Sequence, residues 1–209
     1  KLNQEHWDVL RTISEEKAYA IEDDIESYEK NCRESVSYGE SSKDIIDVLN
    51  KYMCKHVVAL GAGKGILEWH LKRKQPDLFI ECTDYASMAV EKLKKVFVDC
   101  DVIFEFDMMN GDYRVFDNNA FFILYRVSEE FCFSNWCTVF QKMRESKIKN
   151  IIYIPDMIAT IDLAQQMKRS HERNIEKGIQ DTFCGWIYSE DMLEKMFSMG
   201  GYQIIEKRM

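Results

Sequence analysis

From His56 to Ile154 the sequence alternates short apolar runs with stretches of helical periodicity, and no other feature constrains the fold as strongly. Runs at 56–60, 78–83, 102–106, 120–125 and 150–154 read as strands, and 202–206 reads as a final one. Helical periods at 66–74, 88–97 and 135–145 lie between them, and Ser189 caps another that carries Met192, Leu193, Met196 and Phe197. The run at 120–125 is apolar throughout, as expected of a strand covered on both faces. Such alternation predicts an α/β fold: a doubly wound, mainly parallel sheet with helices on both faces. Ligands of such sheets bind outside the carboxyl ends of the strands, at the point where strand order reverses.

Upstream, Ala18, Ile21, Ile25, Tyr28 and Cys32 step by three and four, which predicts a helix over 3–32. Ser41 with Asp44 resembles a capping box for a second helix whose buried face is Ile45, Ile46, Leu49 and Tyr52. The chain therefore reads as one domain with an N-terminal helical extension. Residues 1–40 form a helical cap, 42–157 the core, 158–188 an insertion and 189–209 the last helix and strand. At 158–188, where a loop of about 2–6 residues is usual, there is helical character over 163–177, followed by Gly178, Phe183, Gly185 and Trp186. Extra length here lies over the strand ends and suits a lid. A scaffold over the sheet, or a homodimer contact, is the alternative.

Composition removes several function classes. The net charge of -8 argues against a nucleic-acid partner, because phosphate neutralisation supplies most of such affinity. The cluster Lys72-Arg73-Lys74 reads as a solvated helix end. The longest apolar run, 120–125, is far short of the roughly 20 residues that span a bilayer. Seven cysteines without a CxxC pair read as reduced thiols, and His6, His56, His70 and His171 are scattered without metal-ligand spacing. The expectation is a cytoplasmic protein with no metal and no membrane partner.

The first strand runs directly into Gly61-Ala62-Gly63-Lys64-Gly65. Glycine permits a tight turn and close approach of a ligand to the backbone. The following helix would point its amides and positive dipole end at that ligand. The second strand ends at Asp84, where a carboxylate can accept bonds from both hydroxyls of a ribose. Tyr85 offers an adenine ring an aromatic face. At the end of the third strand, Asp107 can accept from an exocyclic amine while Met108 flanks the ring. Each has a plainer reading: a structural turn for the loop, a helix start for Asp84, a turn residue for Asp107.

In order and spacing, VVALGAGKG (57–65), ECTDYASMAVEKLKK (81–95) and FEFDMM (104–109) resemble motifs I, post-I and II of class I S-adenosylmethionine-dependent methyltransferases. The ending at 185–207 resembles the last helix and strand of small bacterial members. The resemblance implies a Rossmann-like methyltransferase fold and S-adenosylmethionine as cofactor. It implies that Gly61, Ala62, Gly63 and Gly65 contact the methionine part, that Asp84 holds the ribose, and that Tyr85, Asp107 and Met108 surround the adenine. The end of the fourth strand, Tyr125-Arg126, would contact the amino acid group. The family's acidic residue two places before the first glycine is Ala59 here, and the Asn/Asp-Pro-Pro-Tyr/Phe motif of nucleobase amino-methyltransferases is absent.

The expected activity is methyl transfer to oxygen or nitrogen of a small molecule. Catalytic candidates on the acceptor side are Tyr28, Tyr38, Arg126, Glu130 and His171. Two alternatives stay open. An NAD(P)-dependent oxidoreductase also uses a glycine loop and a strand-end acid, but its fingerprint is GxGxxG, and Ile66 occupies the sixth position here. The second alternative, suggested by Ala59, is a non-catalytic partner subunit that keeps the fold.

Overall fold

The computed structural model describes residues 20–127, 131–176 and 186–208. Helices α1 (Ile25–Glu34) and α2 (Val36–Lys51) precede strand β1 (His56–Leu60). There follow α3 (Ile66–Lys74), β2 (Phe79–Asp84), α4 (Ser87–Val96), β3 (Val102–Glu105), β4 (Phe121–Tyr125), α5 (Phe133–Glu145), β5 (Asn150–Ile154), α6 (Ile161–Glu176) and α7 (Glu190–Met199). The strands form one sheet in the order β3-β2-β1-β4-β5, and each neighbouring pair is parallel. The chain moves outward from β1 to β3, then crosses back to lay β4 on the other side of β1. The order therefore reverses between β1 and β4, so their carboxyl ends flank the crevice where ligands bind in such sheets.

The two-residue period of the strands divides the core. Val57, Ile80, Cys82 and Ile123 face the side covered by α1 to α4, where Tyr28, Leu49, Leu71 and Leu93 are buried. Val58, Leu60, Phe122 and Leu124 face the other side, covered by α5 and α7 through Trp136, Phe140, Leu193 and Met196. Trp136 stacks on Phe140 with centroids 5.4 Å apart. Full burial of a side chain of this kind contributes about 1.5–3 kcal/mol, so a sheet packed on both faces explains the uninterrupted apolar run in β4. The expected doubly wound α/β fold is present.

Three local expectations are corrected. The first helix does not run through 20–24. It starts at Ile25, because the Asp24 side chain accepts a 2.8 Å bond from the Ser27 amide and caps it. Ile21, Tyr28 and Cys32 are buried, but Ile25 is 44% exposed, so the stripe is not continuous. Residues 3–19 of that expected helix lie outside the described residues.

The second helix begins at Val36, and Ser41 lies within it rather than capping it. Ser41 Oγ is 3.3 Å from the Tyr125 hydroxyl. Gly39 is admitted into the helix where a Cβ would stand 3.3 Å from the His70 ring.

Finally, 202–206 forms no ladder. Residues 202–205 alternate between half-buried and exposed, but the segment is held by side chains: Tyr202 Oη donates to the Ile148 carbonyl and Lys51 pairs with Glu206. The base of the insertion is closed by a bridge between Ile158 and Tyr188, and the Ala159 amide donates to the Tyr188 carbonyl at 2.8 Å. Among the described residues no helix is long and apolar enough to cross a membrane.

Candidate functional site

The glycine loop turns sharply at the carboxyl end of β1. Gly61, Gly63 and Gly65 have φ of 71°, 58° and 67°, the left-handed region that favours glycine. A Cβ on Gly61 would stand 2.8 Å from Val127 Cγ1 and 3.7 Å from the Met108 methyl. Gly65 is the N-cap of α3, and its Cβ would meet Leu93, the Tyr28 hydroxyl and Phe97 within 3.0–3.3 Å.

The loop is anchored to the end of β2. The Ala62 amide donates to the Thr83 carbonyl, and the Gly63 amide to Asp84 Oδ2, each at 2.8 Å. Asp84 is buried, and its Oδ1 accepts the Ala86 amide at 2.9 Å. An ionised carboxylate has about four acceptor positions, so these two bonds leave capacity for a ligand. Half-buried Tyr85 follows directly. Lys64 reaches Glu22 at 3.0 Å, and Lys92 holds Ile21 and Asp23, which ties 21–23 to the loop and to α4.

Asp107 closes its own turn. Its Oδ1 accepts the Met109 and Asn110 amides, and its Oδ2 accepts Asn110 Nδ2. Strand β3 ends at Glu105, and Met108, three residues beyond it, is buried beside Gly61.

On the other side of the crevice, Tyr125 ends β4. Its ring lies 5.4 Å from that of Tyr38 on α2. Arg126 takes a left-handed φ of 56°, donates its amide to the Ile154 carbonyl at 2.8 Å, and pairs with Asp156. Its guanidinium stands 5.7 Å from the centre of the Tyr38 ring. Burial pushes the Tyr38 hydroxyl above its usual range, against the pull of Arg126.

A small pocket between these groups is lined by Gly61, Ala62, Tyr38, Tyr125 and Glu68. Glu68 was not anticipated from sequence. It sits in the first turn of α3 and is only 2% exposed. Burial, reinforced by the Asp84 carboxylate, pushes its carboxyl up to about 7. An acid flanked by Ile66, Leu67 and Trp69 is the signal that could have pointed to it. Asp156 was also missed, because nothing marks a loop aspartate as the partner of a distant arginine.

Of the acceptor-side candidates, Tyr38 and Arg126 come together. Tyr28 is a correction: it is fully buried, its ring packs 6.1 Å from Phe97, and burial drives its hydroxyl far above the ordinary range. It belongs to the core under the glycine loop. His171 lies within α6, and Glu130 lies outside the described residues.

No protein-family model matches the sequence, and no curated protein matches it. Solved structures do share the fold. A protein from Nostoc punctiforme PCC 73102 designated an O-methyltransferase superposes with a TM-score of 0.57 at 16% identity, over 79% of this chain and 51% of that one. Magnesium protoporphyrin IX methyltransferase from Synechocystis PCC 6803, solved with bound SAH (S-adenosylhomocysteine), gives 0.58 at 12% identity, over 79% and 74%. N,N-8-amino-8-demethyl-D-riboflavin dimethyltransferase from Streptomyces davawensis gives 0.57 at 12%, over 82% and 51%. The chain spans about half the length of the first and third of these proteins. The fold is the Rossmann-like fold of class I methyltransferases.

Proposed function

We propose that the chain binds S-adenosylmethionine at the glycine loop and transfers its methyl group to a small molecule. One observation carries this reading: a strand, a turn of three left-handed glycines and a helix, with the Asp84 carboxylate bonded into the turn. At Gly61 a side chain would collide with Val127, so only glycine lets the turn pack this closely at the end of β1.

When bound, the cofactor would supply a methyl group on a sulfonium, which an acceptor atom can take up directly as S-adenosylhomocysteine leaves, without an enzymic nucleophile. The chain's task is to align the two and to exclude water. Asp84 would hold the ribose with the acceptor positions its two backbone bonds leave. Tyr85 and Met108 would flank the adenine, with Asp107 at the turn beside it. Gly61, Ala62, Gly63, Gly65 and Tyr125 would border the methionine part. Tyr38 and Arg126 stand where an acceptor would approach, and Tyr38, held protonated by burial, can donate a hydrogen bond to it. The N-terminal helices and the insertion at 158–188 would enclose the acceptor, the insertion closing as a lid.

Two facts support a small acceptor. The acidic net charge opposes nucleic acid. The Synechocystis and Streptomyces proteins carry the names of porphyrin and flavin methyltransferases, both small-molecule activities. The test is to incubate the protein with methyl-labelled cofactor and metabolite extracts, then resolve products by mass. Label in a small-molecule product is expected. Label confined to protein or nucleic acid, or no transfer by a chain that binds no cofactor, contradicts the reading.

A further inference from the structure

We propose that Glu68 receives the α-ammonium group of the cofactor's methionine part. This rests on the reading above and assigns a residue to one portion of that ligand.

Glu68 is buried and lines the pocket beside Gly61 and Ala62. Among the described residues no ion pair includes it. The charged group that acts on it is a second carboxylate, Asp84. A buried acid in such surroundings is destabilising unless a cation or a proton compensates it. Its carboxyl, pushed up to about 7, is partly protonated near neutral pH, and a cation beside it would favour the ionised form. Glu68 lies in the first turn of α3, where the helix dipole favours a carboxylate in its ionised form.

The cofactor carries two positive centres, and chemistry selects between them. An ammonium has three N–H donors that match a carboxylate. A sulfonium has none. A carboxylate beside the sulfonium would also stabilise the reactant more than the transition state, in which that charge is being lost, and so would slow transfer. The ammonium is the fitting partner, and the glycine side of the crevice is where the methionine part is proposed to lie.

Calorimetric titration of the wild type and Glu68→Gln tests this with three probes: S-adenosylhomocysteine, its desamino analogue and 5′-methylthioadenosine. Losing a charged hydrogen-bond partner corresponds to roughly ten- to hundred-fold in affinity. The wild type should prefer S-adenosylhomocysteine to the desamino analogue by about that factor, and Glu68→Gln should lose the preference. Both proteins should bind methylthioadenosine equally, which also confirms that the variant is folded. Equal affinity of the two proteins for S-adenosylhomocysteine, a preference retained in the variant, or a parallel loss of methylthioadenosine binding overturns the assignment. A wild type that binds none of the three overturns the cofactor reading itself, and the assignment with it.

Discussion

The amide of Gly63 donates a 2.8 Å hydrogen bond to Oδ2 of Asp84, joining the turn after β1 to the end of β2. Asp84 is therefore both a proposed ribose ligand and the clamp of the turn that would hold the rest of the cofactor. Asp84→Ala should weaken S-adenosylhomocysteine binding at least ten-fold, since a bond to a charged group contributes about 1.5–3 kcal/mol. It should also lower the melting temperature, because the Gly63 and Ala86 amides lose their acceptor. Undiminished affinity would remove Asp84 from the site. An unchanged melting temperature would remove the clamp.

Gly61→Ala should be costly for two separable reasons. Its φ of 71° costs a residue with a Cβ about 1–2 kcal/mol. The new methyl would also meet Val127 Cγ1 at 2.8 Å, an overpacking of about 1–3 kcal/mol. Adding Val127→Ala to Gly61→Ala should relieve the clash but not the backbone strain. Denaturant unfolding of both variants measures the two parts. A Gly61→Ala protein as stable as the wild type would contradict the turn geometry.

Glu68 makes stability depend on pH. Its folded carboxyl titrates near 7, against an ordinary 4.5, so the folded state binds its proton more tightly than the unfolded state does. Its contribution is fully present below the unfolded value and is lost as pH rises through the folded one. The pocket presents Tyr38 and Tyr125 to it, with the Asp84 carboxylate acting from β2, and none of these supplies a compensating cation. The loss is on the order of 3 kcal/mol between about pH 4 and pH 8. Glu68→Gln should remove it, so the wild type should lose more stability than the variant over that range in urea unfolding. Parallel pH profiles would show that Glu68 is not buried as described.

What the sequence revealed depended on how local each feature is. Strand β1 and its glycine turn were legible because an apolar run and the following glycines lie side by side. The bonds that Asp84 accepts from the Gly63 and Ala86 amides were not, since a strand-end acid looks the same whether it holds a ligand or a loop. Glu68 was hidden because an acid in a first helical turn is ordinary, and only tertiary packing buries it. Segment 202–206 has the alternation of a strand, but a ladder needs a neighbour that its own pattern cannot report. Tyr28 was drawn toward the acceptor side by being aromatic, although its place in the stripe with Ile21 and Cys32 already marked it as core. Ser41 and Asp44 matched a capping pattern by chance, and Ser41 instead faces Tyr125.

The insertion at 158–188 is pinned at its base by Ile158 and Tyr188, while Ile161 is 79% and Trp186 54% exposed. A segment that closes over ligands should be cleaved by a low dose of protease in the free protein. It should resist once S-adenosylhomocysteine and an acceptor are present together. Equal resistance in both states would make the insertion a scaffold.

Titration of S-adenosylhomocysteine into the wild type and into Gly63→Arg tests the central claim most directly. An arginine at this left-handed position strains the turn that would hold the cofactor. Saturable one-to-one binding by the wild type is predicted, with none by a Gly63→Arg protein whose circular dichroism is unchanged. Equal binding by both proteins, or binding by neither, would contradict a cofactor site at the glycine loop.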